Sequence, residues 1–336
     1  GDRRSQGWSL HHLAWVATAR GDFVGADQAL GRATRIFAEQ HERFGRAFVR
    51  GTTAFIRLLA GRLTEAQRLA RVFLPFGERV GESWAVGTLR VVSAFAAAEL
   101  GELAEADQIA RQAYRDFAST RDDWGRGLAL VVRGVIARAL GSTGHAADLL
   151  EDADAYCERT GHPLLINVTR TLRGLVALEA GDAAMARAQA EAVLAVAEPH
   201  GMLEPAQVGP RALLASAHLA TGDHAAALAL LAPIVAAADS PAVLFPRRQA
   251  VAIYASALLT AGRPAEALSW ARRAQEIPAE DIRSRVVAAR VLAAALAANG
   301  ERPEARRAAD EAVRLAYATE QVSERAAADE IRASLD

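Results

Sequence analysis

The chain has 336 residues, 51% hydrophobic, 24% charged and only 6% aromatic, with 39 basic side chains against 40 acidic ones. So large an apolar share excludes wholesale disorder, and the charge balance speaks against a nucleic-acid-binding domain, which concentrates a basic excess on one face. All 39 basic residues are arginine, so a Walker A phosphate loop, which needs its lysine, and Schiff-base chemistry, which needs a lysine amine, are excluded.

The chain starts Gly1-Asp2-Arg3-Arg4-Ser5-Gln6-Gly7-Trp8, without the apolar stretch of a signal peptide. No apolar run reaches the roughly 18 residues of a membrane span. Cys157 is the sole cysteine, which precludes an intrachain disulfide. These features predict a soluble, cytoplasmic chain and are compatible with a piece cut from a longer protein.

From Trp8 onward one pattern repeats. A glycine is followed five residues later by alanine at Gly21/Ala26, Gly61/Ala66, Gly101/Ala106, Gly141/Ala146, Gly181/Ala186, Gly222/Ala227, Gly262/Ala267 and Gly300/Ala305, with steps of 40, 40, 40, 40, 41, 40 and 38. Seven residues before each glycine stands a small residue: Ala14, Ala54, Ala94, Gly134, Gly174, Ala215, Ala255 and Ala293. Seventeen before it, a bulky group recurs at Phe44, Trp84, Trp124, Leu164 and Phe245. Good helix formers dominate between these marks. Each glycine suits a left-handed helix end, and Asp22, Glu102, Asp182, Asp223 and Glu301 follow directly, where an acid complements the next helix's dipole.

The predicted fold is all-α, a right-handed solenoid of eight ~40-residue helical hairpins plus a C-terminal capping helix. Helices are expected at about 6–20, 23–40, 44–60, 63–80 and 84–100, continuing to about 301–318. The hairpins fall near 5–41, 42–81, 82–121, 122–161, 162–201, 202–240, 241–280 and 281–319, with second helices ending near Gly81, Gly161 and Gly201. A last polar segment, Val322 to Leu335, is expected to shield the array's end.

This pattern resembles the tetratricopeptide repeat, in which a small residue, a glycine and an alanine occupy the eighth, fifteenth and twentieth positions, as Ala94, Gly101 and Ala106 do here. The step of 40 rather than 34 lengthens each helix by nearly a turn, and the family's Trp, Tyr and Pro positions are mostly replaced. A repeat of this length is similar to the sensor domain of MalT-like, large ATP-binding LuxR-family (STAND) bacterial regulators. That resemblance implies a transcription-regulating chain in which an NTPase and a helix-turn-helix flank the array. An effector or an inhibitory protein would bind the repeats.

No catalytic constellation stands out, and none is expected. His41-Glu42 is not followed by a second histidine in zinc-protease spacing, and no GxSxG elbow is present. His218 and His224 flank one turn beside Asp223, but a metal normally needs three converging ligands, so exposed turn histidines are the simpler reading. No cofactor is predicted. Paired carboxylates such as Asp122-Asp123 and Asp329-Glu330 fit helix starts and solvated faces, and Cys157 fits a packed helix position.

The concave face is more telling. Residues thirteen, ten and six before each glycine share one face of the first helix. They are Trp8, His11 and Trp15, then Phe48, Gly51 and Phe55, then Thr88, Val91 and Phe95, then Leu128, Val131 and Val135, then Val168, Thr171 and Leu175, before turning small and polar at Gly209, Ala212, Ser216, Gln249, Ala252 and Ser256. Arg138 and Arg290 fall near this face. The candidate ligand-binding residues are therefore Trp8, His11, Trp15, Phe48, Phe55, Val91, Phe95, Leu128, Val131, Val135, Arg138, Thr171 and Leu175. A long apolar stripe calls for an occupant: a small apolar or aromatic effector, or a partner protein's helix or tail. The alternative is that these side chains pack on neighbouring repeats. A second column, Arg50, Arg90, Arg170 and Arg211, could bind anions but more simply pairs with carboxylates on adjacent helices.

Overall fold

All eight periodic glycines adopt left-handed backbone, with φ between 71° and 91°, a conformation glycine takes without steric penalty. A computed structural model describes residues 2–197, 204–238 and 246–335. His200, Gly201 and Phe245 lie outside the described residues. Seventeen helices and no strand occur among the described residues: α1 (Arg3–Ala19), α2 (Phe23–Glu39), α3 (Arg43–Leu59), α4 (Leu63–Val80), α5 (Ser83–Leu100), α6 (Leu103–Thr120), α7 (Asp123–Ala139), α8 (Thr143–Thr160), α9 (Pro163–Glu179), α10 (Ala183–Ala197), α11 (Glu204–Ala220), α12 (His224–Ala236), α13 (Arg247–Thr260), α14 (Pro264–Glu276), α15 (Ile282–Ala298), α16 (Arg302–Tyr317) and α17 (Arg325–Ala333).

The helix starts are written in acids. Asp22, Asp182 and Asp223 accept hydrogen bonds from the amides of Gly25, Met185 and Ala226. The odd-numbered helices have their own column: Asp2, Glu42, Glu82 and Asp122 each accept a first-turn amide. Such a cap stabilises by about 1 kcal/mol. The ends of even helices form a matching series. Gly81 and Gly161 are left-handed at φ 74° and 59°, and so are their non-glycine counterparts His41 and Arg121, at 52° and 57°.

Packing follows the small-residue columns. Ala14, Ala54, Ala94, Ala215, Ala255 and Ala293 are fully buried, and so are all eight alanines that follow the glycines by five. These are the points of closest helix approach. At Gly174 an added Cβ would lie 2.5 Å from Leu213 Cδ2 and 3.2 Å from the Ala186 carbonyl oxygen. A second rhythm has twice the period. The ring of Phe37 fills the space left by Gly7 and Gly45, where a Cβ would come within 2.8 and 2.7 Å of it. Eighty residues on, Phe117 does the same against Gly87 and Gly125, at 2.5 and 2.1 Å. In the intervening repeat Gly77 takes the position of the phenylalanine, and a Cβ there would lie 3.2 Å from Val86 Cγ2, so volume is exchanged between positions while the packing stays dense.

The coil closes on itself. The amide of Thr64, in the first turn of α4, donates to Glu280 Oε2 at 2.6 Å, and that of Ala104, in the first turn of α6, donates to Glu320 Oε2 at 3.1 Å. Both pairs are 216 residues apart, a little over five repeats. Neither α4 nor α6 has a side-chain cap from its own N-cap residue, so each is capped from the next turn of the coil. The seam is completed by Gln321 Nε2 donating to the Ala98 carbonyl at 2.9 Å and the Val322 amide donating to the Ala139 carbonyl at 2.7 Å. The C-terminal segment is therefore more than a shield: residues 319–322 dock on the third and fourth repeats, and the helix itself is shorter than expected, Arg325–Ala333.

Candidate functional site

The odd helices line the bore of the coil and enclose a cavity of about 810 Å³. Its wall draws on α1, α3, α5, α7, α9, α11, α13 and the start of α15, with Phe23 of α2. Eleven of the thirteen residues singled out from the sequence stand on it: His11, Trp15, Phe48, Phe55, Val91, Phe95, Leu128, Val131, Arg138, Thr171 and Leu175. The other two do not. Trp8 turns its ring edge-on to Phe37 and Phe48, at centroid distances of 5.2 and 5.3 Å. Val135 is 2% exposed and packs within the core. Much of the stripe also packs on neighbouring repeats, as the alternative reading held: Phe55, Val91, Leu128 and Val131 are all buried.

Residues from the column seventeen before the glycines add to the wall. Trp84, Trp124 and Leu164 line the cavity, whereas Phe44 is exposed. The rings form a ladder from repeat to repeat. Phe48 stacks on Trp84 at 3.8 Å, Trp84 on Trp124 at 6.2 Å, and Trp124 meets His162 at 5.7 Å. Trp15 and Phe55 approach at 5.6 Å. Each such pair contributes about 0.5–1.5 kcal/mol beyond burial, which holds the rings in place without a ligand. His11 shares a 2.8 Å hydrogen bond with Thr52 Oγ1. Its burial, with His12 beside it, lowers its pKa to about 4, so this part of the wall is uncharged at neutral pH. Beyond α9 the wall turns small and polar, with Ala206, Gly209, Ala212, Ser216 and Gln249.

One pole of the cavity is charged. Glu99 near the end of α5, Arg138 on α7, and Asp281 and Arg283 at the start of α15 all line it. Arg138 donates to Glu179 Oε1 at 3.0 Å, Arg283 to Glu324 Oε1 at 2.9 Å, and Arg290 pairs with Glu324 at 3.4 Å. Arg283 also reaches Glu179 at 3.6 Å. Asp281 accepts from the Ser284 amide at 2.7 Å. Burial, with Asp281 nearby, lifts the Glu99 carboxyl to about 7; burial also raises Asp281. The sequence columns pointed to Arg138 but not to Glu99, Asp281 or Arg283, because this pole is built across the seam, and periodicity reveals neighbours along the chain only.

Other sequence candidates resolve into structure. Arg90 pairs with Asp116 and Glu78, and Arg170 with Asp154, as the carboxylate-pairing reading expected. Arg211 instead binds Gln207 Oε1, and Arg50 lies over the Phe76 ring at 4.1 Å. His218 sits 3.5 Å from Asp223, and among the described residues no group of three His, Cys, Asp or Glu side chains could hold a metal ion. Cys157 is 1% exposed, and burial pushes its thiol pKa up, the opposite of an activated nucleophile. No helix is long and apolar enough to cross a membrane among the described residues.

A family model of the tetratricopeptide repeat matches residues 7–32, 167–192, 208–233, 249–273 and 286–311. A search of curated proteins finds no match. Among solved structures, a Rap protein complexed with competence and sporulation factor is 14% identical, with a TM-score of 0.60 over 80% of this chain and 76% of that one. NprR in complex with its cognate peptide NprX is 12% identical, with a TM-score of 0.53 over 85% of this chain and 81% of that one. A STAND protein with a tetratricopeptide-repeat sensor, from Pyrococcus horikoshii, is 14% identical, with a TM-score of 0.55. That alignment covers 98% of this chain, which spans 50% of the larger protein.

Proposed function

We propose that this chain, whose fold is a tetratricopeptide-like superhelix, is a non-catalytic sensor module whose bore holds a small apolar or aromatic effector. The observation that carries this reading is the cavity of about 810 Å³, a size and an apolar lining that match drug-sized ligand sites. An effector that prefers one curvature of the coil would shift the population of the whole array toward it, since each repeat moves with its neighbours. On this reading the chain is the cytoplasmic sensor of a bacterial transcriptional regulator, and its NTPase and helix-turn-helix lie outside the sequence described. The likeness in fold to a STAND protein with such a sensor supports this.

A second reading, a scaffold gripping a helix or tail of a partner protein, draws support from the two neighbours solved with bound peptides. Native mass spectrometry of freshly purified protein separates the two. A co-purified small molecule, displaced by titration with a quench of Trp15 and Trp124 emission, is the expected result. A chain that carries no guest, and whose tryptophan emission no apolar probe alters, refutes the effector reading.

A further inference from the structure

The charged pole of the cavity holds two carboxyl groups that no arginine engages in an ion pair among the described residues. Arg138, Arg283 and Arg290 stand there with Glu99, Glu179, Asp281 and Glu324, and Arg248 lies within electrostatic reach of Asp281. The arginines are committed: Arg138 to Glu179, and Arg283 and Arg290 to Glu324. What remains is a pair of buried carboxyl groups. Glu99 is 6% exposed and Asp281 2%, and both face the cavity. Among the described residues the Glu99 carboxyl accepts no hydrogen bond and touches no cation. The recorded hydrogen bonds of Asp281 go to the start of its own helix.

An isolated carboxylate in an apolar enclosure is strongly disfavoured unless a cation meets it. Arg138 and Arg283 act on Glu99 from a distance, but among the described residues neither forms an ion pair with it, and the space in front of Glu99 is the bore itself.

We infer that the occupant of this cavity is a small hydrophobic monocation, an aromatic or aliphatic body carrying one ammonium group. Glu99 and Asp281 clasp the ammonium, and the rings of Trp15, Phe55 and Trp124 enclose the body. This rests on the effector reading above and narrows its chemical class. The electron-rich ring faces favour a cation for the same reason. Glu99 belongs to α5, and Asp281 caps α15 from across the seam. An ammonium bridging them therefore fastens the coil where it closes, which ties occupancy to curvature. With Glu99 lifted to about 7 by its burial and by Asp281, and with Arg138 and Arg283 drawing it down, the clasp strengthens as pH rises past neutrality.

Three matched probes test this on the full chain by calorimetry at pH 8: 4-phenylbutylamine, 4-phenylbutan-1-ol and 4-phenylbutyrate. The amine is expected to bind at least about tenfold more tightly than the alcohol, as a charge-assisted hydrogen bond exceeds a neutral one, and the butyrate most weakly. Glu99→Gln removes the preference for the amine, read as the ratio of the amine and alcohol affinities. Asp281→Asn, which keeps the helix cap, weakens the amine selectively too. At pH 6 the wild-type preference shrinks. Butyrate binding as tightly as amine, or an amine preference that survives Glu99→Gln, overturns the inference. Alcohol binding without any amine preference overturns it while the apolar-effector reading stands. If none of the three binds, both fall.

Discussion

Substituting alanine at two glycines that look alike in sequence should separate backbone strain from seam closure. Gly101 and Gly262 end equivalent helices, with φ of 91° and 73°. In either place alanine meets the left-handed penalty, about 1–2 kcal/mol. Their surroundings differ. A Cβ on Gly262 meets nothing within 4 Å, whereas one on Gly101 would lie 2.4 Å from Thr319 Cβ. Thr319 leads the segment that docks on the third and fourth repeats, so Gly101→Ala must push that segment away. Three hydrogen bonds are then at risk: Gln321 to Ala98, Val322 to Ala139, and Ala104 to Glu320. At about 0.5–1.5 kcal/mol each, the seam loses roughly 2–4 kcal/mol beyond the strain that both variants share. Repeat arrays need not unfold as one cooperative unit, so native-state hydrogen exchange is the better assay. The Val322 amide should exchange faster by about tenfold or more in Gly101→Ala and be unchanged in Gly262→Ala. Equal protection of Val322 in the two variants would refute the closed coil.

Glu99 makes stability depend on pH. Folding lifts its pKa from 4.5 to about 7, so between those values the folded chain holds a proton that the unfolded chain has released. Stability contributed by that proton is complete below 4.5 and is lost as pH rises through 7. Glu99→Gln should therefore exceed wild type at pH 8, on the order of 2–3 kcal/mol, and lose that advantage near pH 4. A gap that does not vary with pH in denaturant titrations contradicts the assignment. Phe117→Ala should cost about 3–5 kcal/mol, measured by urea unfolding. Gly125→Ala, whose Cβ would collide with the Phe117 ring at 2.1 Å, should regain stability when combined with Phe117→Leu, and purely additive effects would count against the volume exchange. Arg121→Gly, which relieves a left-handed φ of 57°, should stabilise the chain by about 1 kcal/mol; a lower urea midpoint would show that the arginine side chain matters more than its backbone.

The sequence spelled out what is local. A glycine every 40 residues, an alanine five after it and a small residue seven before it state where each hairpin turns and where its helices touch. The same phase put Phe55, Phe95 and Leu175 on the bore. It misplaced Trp8, whose ring packs edge-on against Phe37 and Phe48. It also overrated Val135, which packs into the core although Val91 and Val131, on the same face of their helices, line the bore. The acid column Asp2, Glu42, Glu82 and Asp122, and the 80-residue alternation of Phe37 and Phe117, were present in the letters and needed only a longer comparison. The seam was not. Its position depends on the small rotation between successive hairpins, summed over more than five of them. No single position encodes that sum, so the pairing of Glu99 with Asp281 emerges only in three dimensions.

The seam also bears on how such a chain can change length. Glu280 and Glu320 stand one period apart, as do their partners Thr64 and Ala104. If one whole hairpin between the seam partners were excised, the register would advance by one repeat, and Glu320 would arrive opposite Thr64 in place of Glu280, acid for acid. Losing half a hairpin would instead deliver Gly300, with no carboxylate to offer. Whole-unit gains and losses are thus the edits this architecture forgives, and they can resize the bore while its lock keeps working.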